Sequence, residues 1–278
     1  MNIQQRRNQA QEFNRLLNEV EKVYVVKIYR ALKAQINNVV LSLRQGGIEY
    51  ARRRVQSDGI GSEMTEAIRR MHRSVGLLFA RRTLSQLRKS PAKLKRGFGN
   101  NAEWIRSIQE YFRLHLFDSV SSISETTKNH ILKVLTQATA EGWTLDRTIK
   151  EINDVVYLQH RAERIVRTES VRAANYGVNL GADDYDYEVS KEWCAFNDDR
   201  TRDTHRHGSG VDGEMRDIGA LFSNGLEFPG DPKGSAKEVI NCRCTIAIVA
   251  KRDENGRLIP KRRTGVIIPG SFVKPIPA

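Results

Sequence analysis

The chain has 278 residues, of which 39% are apolar and 28% charged, and its formal net charge is +13. This balance suits a folded or extended helical protein and excludes a disordered polar tail. No apolar run approaches the roughly 20 residues of a membrane-spanning helix, so we expect no membrane span. The polar start, Met1–Arg7, does not resemble a secretory signal. Three cysteines, two of them separated by one residue, are not typical of a disulfide framework and favour a reducing compartment.

The positive charge is concentrated in the first hundred residues. Residues 1–100 contain 21 Lys and Arg against 7 Asp and Glu, a net charge of +14, whereas residues 101–278 contain 25 against 26. A field of that sign attracts polyanions, and nucleic acid is the commonest large one. The first third therefore predicts contact with nucleic acid. A solvated basic face, or a surface that pairs with an acidic protein, is the alternative.

The N-terminal third is predicted to be an arm of long helices. Apolar residues recur at steps of three and four from Phe13 to Leu43, and Gly46-Gly47 interrupts this stripe. A second helical stretch ends near Ser57, and a third begins after Ser62 as cap and stops before Pro91. A stripe of that length predicts a partner helix, either in this chain or in a sister copy.

Beyond residue 100 the helices are expected to shorten. Separate amphipathic segments are predicted at residues 104–112 and 131–138, and Gly142 is in C-cap position after the second. Thr144 is predicted to cap a further helix. The helix after that is expected to end at Gly177. The apolar residues of these segments are predicted to be core.

Short strands are predicted after Gly181. The candidates are Tyr185–Val189, Glu192–Phe196 and Thr245–Ala250, of which the last is β-branched and bounded by charge. A turn is predicted at Asp253–Gly256.

These patterns predict an α+β fold in three parts. Residues 1–97 would form the basic arm of long N-terminal helices, with Lys93–Gly99 as the boundary. Residues 98–250 would contain a helical region and then a small mixed α/β module with few short strands. Residues 251–278, which contain several prolines, would form an extended C-terminal tail.

The stretch of residues 193–244 contains the chemically distinctive side chains, including all three cysteines. Cys242 and Cys244 would point to the same side of a strand. Together with Cys194 and His205 they would supply three sulfurs and one nitrogen, a tetrahedral zinc set. The alternative is that the cysteines are small buried hydrophobic residues and that His205 bonds to the backbone or a carboxylate.

The same stretch permits a hydrolytic site. Asp198, Asp199, His205, His207 and Glu238 would hold a divalent metal and a general base for phosphodiester hydrolysis. No strong catalytic spacing supports this interpretation, and helix capping explains the two aspartates equally well. His207 would also be the substitute for His205 in the zinc set.

Several pieces of the stretch follow one another in a specific order. An Arg-Thr-Glu segment comes first, then Trp193, then Asp-x-Thr-Arg-x-x-His, and after a Gly- and Pro-rich middle Glu-x-x-Asn-Cys-Arg-Cys. In this order the pieces resemble the phage Mu F-like head-morphogenesis family, over about residues 100–250 with the specific motifs within 160–245. The residues that carry the resemblance are Arg167, Thr168, Glu169, Trp193, Asp199, Thr201, Arg202, His205, Glu238, Asn241, Cys242, Arg243 and Cys244.

The resemblance implies a minor head protein of a tailed bacteriophage, without enzymatic activity. Such a protein would lie inside the capsid, bound to the portal protein and the inner capsid surface, after assembly in the host cytoplasm. It would act in head morphogenesis and in the packaging, retention and delivery of double-stranded DNA. A metal-dependent nuclease or hydrolase using His205, Asp199 and Glu238, and a zinc-stabilised adaptor, are the alternatives.

The basic arm would then contact packaged DNA without sequence preference. The candidate residues for this contact are Arg52, Arg53, Arg54, Arg69, Arg70, Arg73, Arg81 and Arg82.

Overall fold

The computed structural model describes residues 1–57, 62–88 and 101–261 of the chain. This described part contains six α-helices, one 3-10 turn and three strands, which confirms the predicted α+β class. The helices are α1 (Ile3–Ser57), α2 (Ser62–Arg88), α3 (Asn101–Ala140), α4 (Leu145–Ile152), α5 (Val155–Asp183) and α6 (Ala236–Val239). The strands are β1 (Val189–Cys194), β2 (Met215–Asp217) and β3 (Thr245–Ala250). No helix within this part has the length and apolarity to cross a membrane.

Helix α1 follows the predicted pattern of apolar residues. Gly46 and Gly47 leave helical geometry, and Gly47 has a φ of +70°, a conformation that glycine adopts without steric cost. The predicted Gly-Gly interruption is therefore confirmed. The apolar stripe from Phe13 to Leu43 is buried apart from the half-buried Val20, as an amphipathic helix requires.

Helix α3 differs from the prediction because it is a single helix of 40 residues. The stretch between its two predicted segments contains neither glycine nor proline. Its Thr126 and Thr127 hydroxyls donate to the carbonyls of Ser122 and Ile123, one turn earlier, at 2.8 and 2.9 Å. The threonines thus bond within the helix and do not end it.

Helix α5 continues past Gly177 to Asp183, so the predicted end at this glycine is wrong. A Cβ atom added at Gly177 would lie 2.3 Å from the carbonyl oxygen of Gly76 in α2. Gly181, one turn later, is equally close to the carbonyl oxygen of Ala80. The glycines of α5 therefore permit two helix backbones to approach closely. Gly142, with a φ of +64°, does occupy the predicted position after a helix, and the Thr144 side chain caps α4 as predicted.

The chain forms two compact units, each assembled from segments that are distant in sequence. One comprises Met1–Val20, Met71–Arg113 and Arg167–Ala278, and the other Glu21–Arg70 and Leu114–Val166. The predicted boundary at Lys93–Gly99 and most of the predicted tail lie outside the described residues. The three-part division along the sequence stays a prediction.

The small sheet belongs to the first unit and has the order β2-β1-β3, with both pairings antiparallel. Strand β3 has the predicted bounds. Strand β1 begins at Val189 and so joins the end of one predicted strand to the start of the next. The three residues of β2 lack apolar alternation, which explains why the sequence did not predict them. The predicted turn at Asp253–Gly256 is present, with a φ of +75° at its glycine.

Candidate functional site

A buried cluster of one histidine and two cysteines lies where the start and the end of the long segment between β1 and β3 meet. His205 belongs to the 3-10 turn Asp203–His205, and Cys242 and Cys244 directly precede β3. All three are buried, and the cysteines are free. The Nδ1 atom of His205 is 3.7 Å from the Sγ of Cys242 and 3.6 Å from the Sγ of Cys244. Strand β3 and the turn thus bring together three of the four predicted zinc ligands.

The other ring nitrogen of His205 is held by a carboxylate. Nε2 lies 2.8 Å from Oε2 of Glu238 in α6, and the same oxygen accepts a hydrogen bond from the Thr204 hydroxyl at 2.9 Å. The ring of Trp193 packs edge-on against the imidazole, with 5.0 Å between centroids. Contacts on two sides therefore fix the orientation of the imidazole ring, with Nδ1 toward the sulfurs.

The two thiols of the cluster have different acidities because they are hydrogen-bonded to each other. The Cys244 thiol donates to Cys242, which lowers the pKa of Cys242 against the opposing effect of burial. The same hydrogen bond, together with burial, raises the pKa of Cys244. The backbone N–H of Cys244 also donates to the Cys242 sulfur at 3.5 Å. Cys242 is therefore the more acidic thiol of the pair.

Cys194 lies apart from this cluster, contrary to the predicted four-residue set. It follows Trp193 on β1, and adjacent strand residues point to opposite faces of the sheet. Because Trp193 faces His205, Cys194 faces the other side, where it packs with Ala10 and Ala247. Burial raises the pKa of its thiol. Cys194 is thus the small buried hydrophobic residue that the alternative interpretation described.

His207 is also separate from the cluster. Its side chain is 52% exposed, and its Nδ1 lies 3.5 Å from the Arg6 guanidinium and 3.8 Å from the Asp212 carboxylate. His207 therefore faces other charged groups and does not replace His205. Asp199, predicted for the hydrolytic set, is exposed, and its backbone carbonyl accepts from Arg206. His205 and Glu238 are the members of that set that bond to each other.

An ion pair connects the start and the end of the segment between β1 and β3. Arg243 contacts the Asp198 carboxylate at 2.6 Å, and the Thr201 hydroxyl donates to the same carboxylate at 3.0 Å. Burial raises the pKa of Asp198, but the hydrogen bonds from Arg243 and Thr201 outweigh it, so the pKa lies below its ordinary value. The backbone N–H of Arg200 donates to Asp198 as well, in the manner of a cap. Arg202 adds a second closure, since its guanidinium donates to the carbonyl of Ile240.

Helix α5 contacts the Asn-Cys-Arg-Cys segment through a hydrogen bond to its backbone. The Thr168 hydroxyl accepts a hydrogen bond from the backbone N–H of Asn241 at 2.9 Å, and Asn241 has a φ of +58°. Glu169 accepts from Arg172 at 2.9 Å and lies 2.9 Å from Nε2 of the buried His72. The Arg-Thr-Glu piece of the motif therefore positions the Cys-containing piece. Its first residue, Arg167, contacts the side chain of Asn18.

Asn175 was not predicted, yet its fully buried side chain bonds to the loop and to β3 through both of its polar atoms. Its amide nitrogen donates to the carbonyls of Pro229 and Cys244, and its oxygen accepts from the Thr245 hydroxyl and the Ile246 N–H. The sequence signal was a polar residue among apolar ones, on a helix face predicted to be core.

The candidate arginines for DNA contact lie on helices α1 and α2. Six of the eight are exposed, whereas Arg52 and Arg82 are partly buried. Arg69 and Arg70 both pair with Glu66, at 3.0 and 2.6 Å. The set is divided between the two compact units, because the unit boundary in α2 falls between Arg70 and Met71.

Residues 129–247 match the family model described as Phage Mu protein F like protein. The matched segment contains every motif residue from Arg167 to Cys244, so the predicted resemblance to this family is confirmed. Comparisons with curated proteins and with solved structures gave no significant match. The family points to a protein of phage head morphogenesis, and hence to the virion.

Proposed function

We propose that this chain is a minor head protein of a tailed bacteriophage, because residues 129–247 match the Phage Mu protein F like family. It lies inside the capsid near the portal, to which it binds, and it contacts the packaged DNA without reading its sequence. The family match carries the proposal. The hydrogen bonds and ion pairs of the motif region support it, since they hold a closed, anchored loop that suits a structural protein.

The DNA contact is supported by the placement of positive charge. Residues 1–100 have a net charge of +14, and most of the candidate arginines on α1 and α2 are exposed. Guanidinium groups bind phosphate oxygens through paired N–H donors, without information about base sequence. Such contacts suit a lumen filled with DNA of every sequence.

The DNA contact is tested with two matched variants of the full chain, each lacking four positive charges through substitution by glutamine. The test variant changes Arg53, Arg54, Arg69 and Arg70. The control variant changes four exposed basic residues from beyond residue 100, namely Arg113, Lys133, Lys150 and Arg257.

The measurement is the salt dependence of binding to duplexes of unrelated sequence. The slope of log K against log salt should become shallower by about 0.9 for each phosphate that the test variant no longer binds, equally for every duplex. The control variant should keep the wild-type slope. Wild-type binding that does not change with salt, or an unchanged slope in the test variant, would contradict the DNA role.

Portal binding is tested separately, by passing the purified chain over immobilised portal rings of the same phage. We expect it to be retained after nuclease treatment, because the proposed contact is between proteins. Retention that nuclease abolishes would show an association bridged by DNA and would remove portal binding from the proposal.

A further inference from the structure

We propose that His205, Cys242 and Cys244 form a metal site that takes a thiophilic divalent ion, with Zn²⁺ as the expected occupant. This inference goes beyond the proposed function and does not depend on it. Three observations carry it: the distances among the donor atoms, the hydrogen bond on the far side of the imidazole, and the polar groups around the sulfurs.

The two nitrogen–sulfur distances match those expected around a tetrahedral zinc ion. With Zn–S near 2.3 Å and Zn–N near 2.0–2.1 Å, a tetrahedral angle puts a nitrogen and a sulfur about 3.6 Å apart. The Nδ1 atom of His205 is 3.7 Å from one sulfur and 3.6 Å from the other. All three donor atoms lie within 4.8 Å of one another and all three residues are buried.

The proton on the imidazole explains why a cation fits better than a hydrogen bond. A carboxylate only accepts hydrogen bonds, so the 2.8 Å contact with Glu238 places a proton on Nε2 of His205. In the neutral ring Nδ1 then has a lone pair, and it faces two sulfurs at nearly equal distance. One ion placed between the three donors would use this lone pair and both sulfurs.

The contact with Glu238 is also the arrangement that metal-binding histidines use. The ring nitrogen that does not bind the metal commonly donates to a carboxylate, which fixes the tautomer and makes the ligating nitrogen more basic. Glu238 belongs to α6, only four residues before Cys242. One short segment of chain therefore supplies both sulfur ligands and the carboxylate that orients the histidine.

Hydrogen-bond donors lie around both sulfurs. The backbone N–H of Cys244 donates to the Cys242 sulfur at 3.5 Å. The buried indole N–H of Trp193 interacts with the Cys244 sulfur and has no nitrogen or oxygen acceptor among the described residues. Sulfur ligands of this kind bind zinc in preference to harder cations.

The ion would join two pieces of chain. His205 lies in the 3-10 turn near the start of the loop, and Cys242 and Cys244 lie where the loop enters β3. Bound zinc would hold these pieces together alongside the Asp198–Arg243 ion pair. The three side chains leave one tetrahedral position for a small exogenous ligand such as water.

The test uses the full chain, purified without chelator, with zinc measured by elemental analysis and cobalt used as a coloured substitute. We expect about one zinc ion per chain. After metal removal, added Co²⁺ should give near-ultraviolet thiolate-to-cobalt absorption and the visible bands of a tetrahedral ion. Cys242→Ser and Cys244→Ser should each lose zinc and weaken this absorption. His205→Asn should change the visible bands, because one nitrogen ligand is removed.

Cys194→Ser is the matched control, since Cys194 is an equally buried cysteine outside the cluster. It should keep both the zinc and the cobalt spectrum. Circular dichroism monitors the fold of each variant. If a variant does not fold, the zinc content and cobalt absorption of the wild-type chain test the proposal. A wild-type chain without zinc and without cobalt–thiolate absorption would overturn the proposal. A cobalt spectrum that disappears in Cys194→Ser and persists in Cys242→Ser would overturn the assignment of ligands.

Discussion

Replacing Asn175 by alanine should destabilise the protein more than its single side chain suggests. The Asn175 side chain is fully buried on α5. It bonds both to the loop and to the chain that enters β3. Its amide nitrogen donates to the carbonyls of Pro229 and Cys244 at 3.1 and 3.3 Å. Its oxygen accepts from the Thr245 hydroxyl and the Ile246 N–H, both at 3.1 Å.

The magnitude follows from what the alanine variant leaves unpaired. The Ile246 N–H loses its side-chain acceptor, and a buried donor left unsatisfied costs about 1–3 kcal/mol. The two carbonyls each lose a hydrogen bond that contributes about 0.5–1.5 kcal/mol. The Thr245 hydroxyl still reaches the Ile246 carbonyl at 3.3 Å, so its loss is smaller. After about 0.5 kcal/mol is returned by the higher helix propensity of alanine, we expect a net loss of about 3–4 kcal/mol.

The assay is urea denaturation followed by circular dichroism, which gives the free energy of unfolding from the midpoint and slope. Asn179→Ala is the control, because Asn179 lies one turn later on α5. The Asn179 side-chain oxygen is buried without a hydrogen-bond partner among the described residues. The control should change stability by less than about 1 kcal/mol. A cost for Asn175→Ala no larger than that of the control would refute the reasoning.

Two further predictions concern α5 and β1. Gly177→Ala should cost about 1–3 kcal/mol, because the new Cβ would lie 2.3 Å from the Gly76 carbonyl oxygen. Helix propensity alone predicts a gain of about 1 kcal/mol, so the sign found by urea denaturation decides between the two accounts. Burial lowers the pKa of Lys191 from 10.5 to about 8. The unfolded chain therefore keeps a proton that the folded chain releases, and this residue's contribution to stability should rise with pH between those two values. Lys191→Met should remove that rise when unfolding free energies are compared at about pH 7 and pH 10, and an identical pH dependence in both proteins would exclude it.

Local patterns predicted the elements that local chemistry decides. The apolar stripe of α1, its interruption at Gly46-Gly47, the Thr144 cap and the bounds of β3 each depend on neighbouring residues alone. Gly142 and Gly177 show where this stops. Gly142 has a left-handed backbone conformation just after the end of α3. Gly177 instead continues helix α5, where it lies against Gly76. The deciding contact is about a hundred residues away, so no local window contains it.

The sequence predicted the kinds of residue in the candidate site correctly, but not all of the individual residues that form it. His205, Cys242 and Cys244 were proposed together and lie together, because an i, i+2 pair before a strand shares one face. Cys194 was included only because it is the third cysteine, and the register of β1 turns it to the opposite face. Asn175 was missed because most of its partners in the loop and β3 are backbone groups 54 to 71 residues later, which carry no signature in their side chains.

The separation between Asn175 and its partners also bears on synthesis. Ile246 follows Asn175 by 71 positions, which a ribosome adding roughly 5–20 residues per second covers in about 4–14 seconds. Throughout that delay α5 can form, but the Ile246 N–H that donates to the Asn175 oxygen has not yet been made. Only chains translated through β3 can close the loop, so a partner that recognises the closed form would ignore unfinished ones.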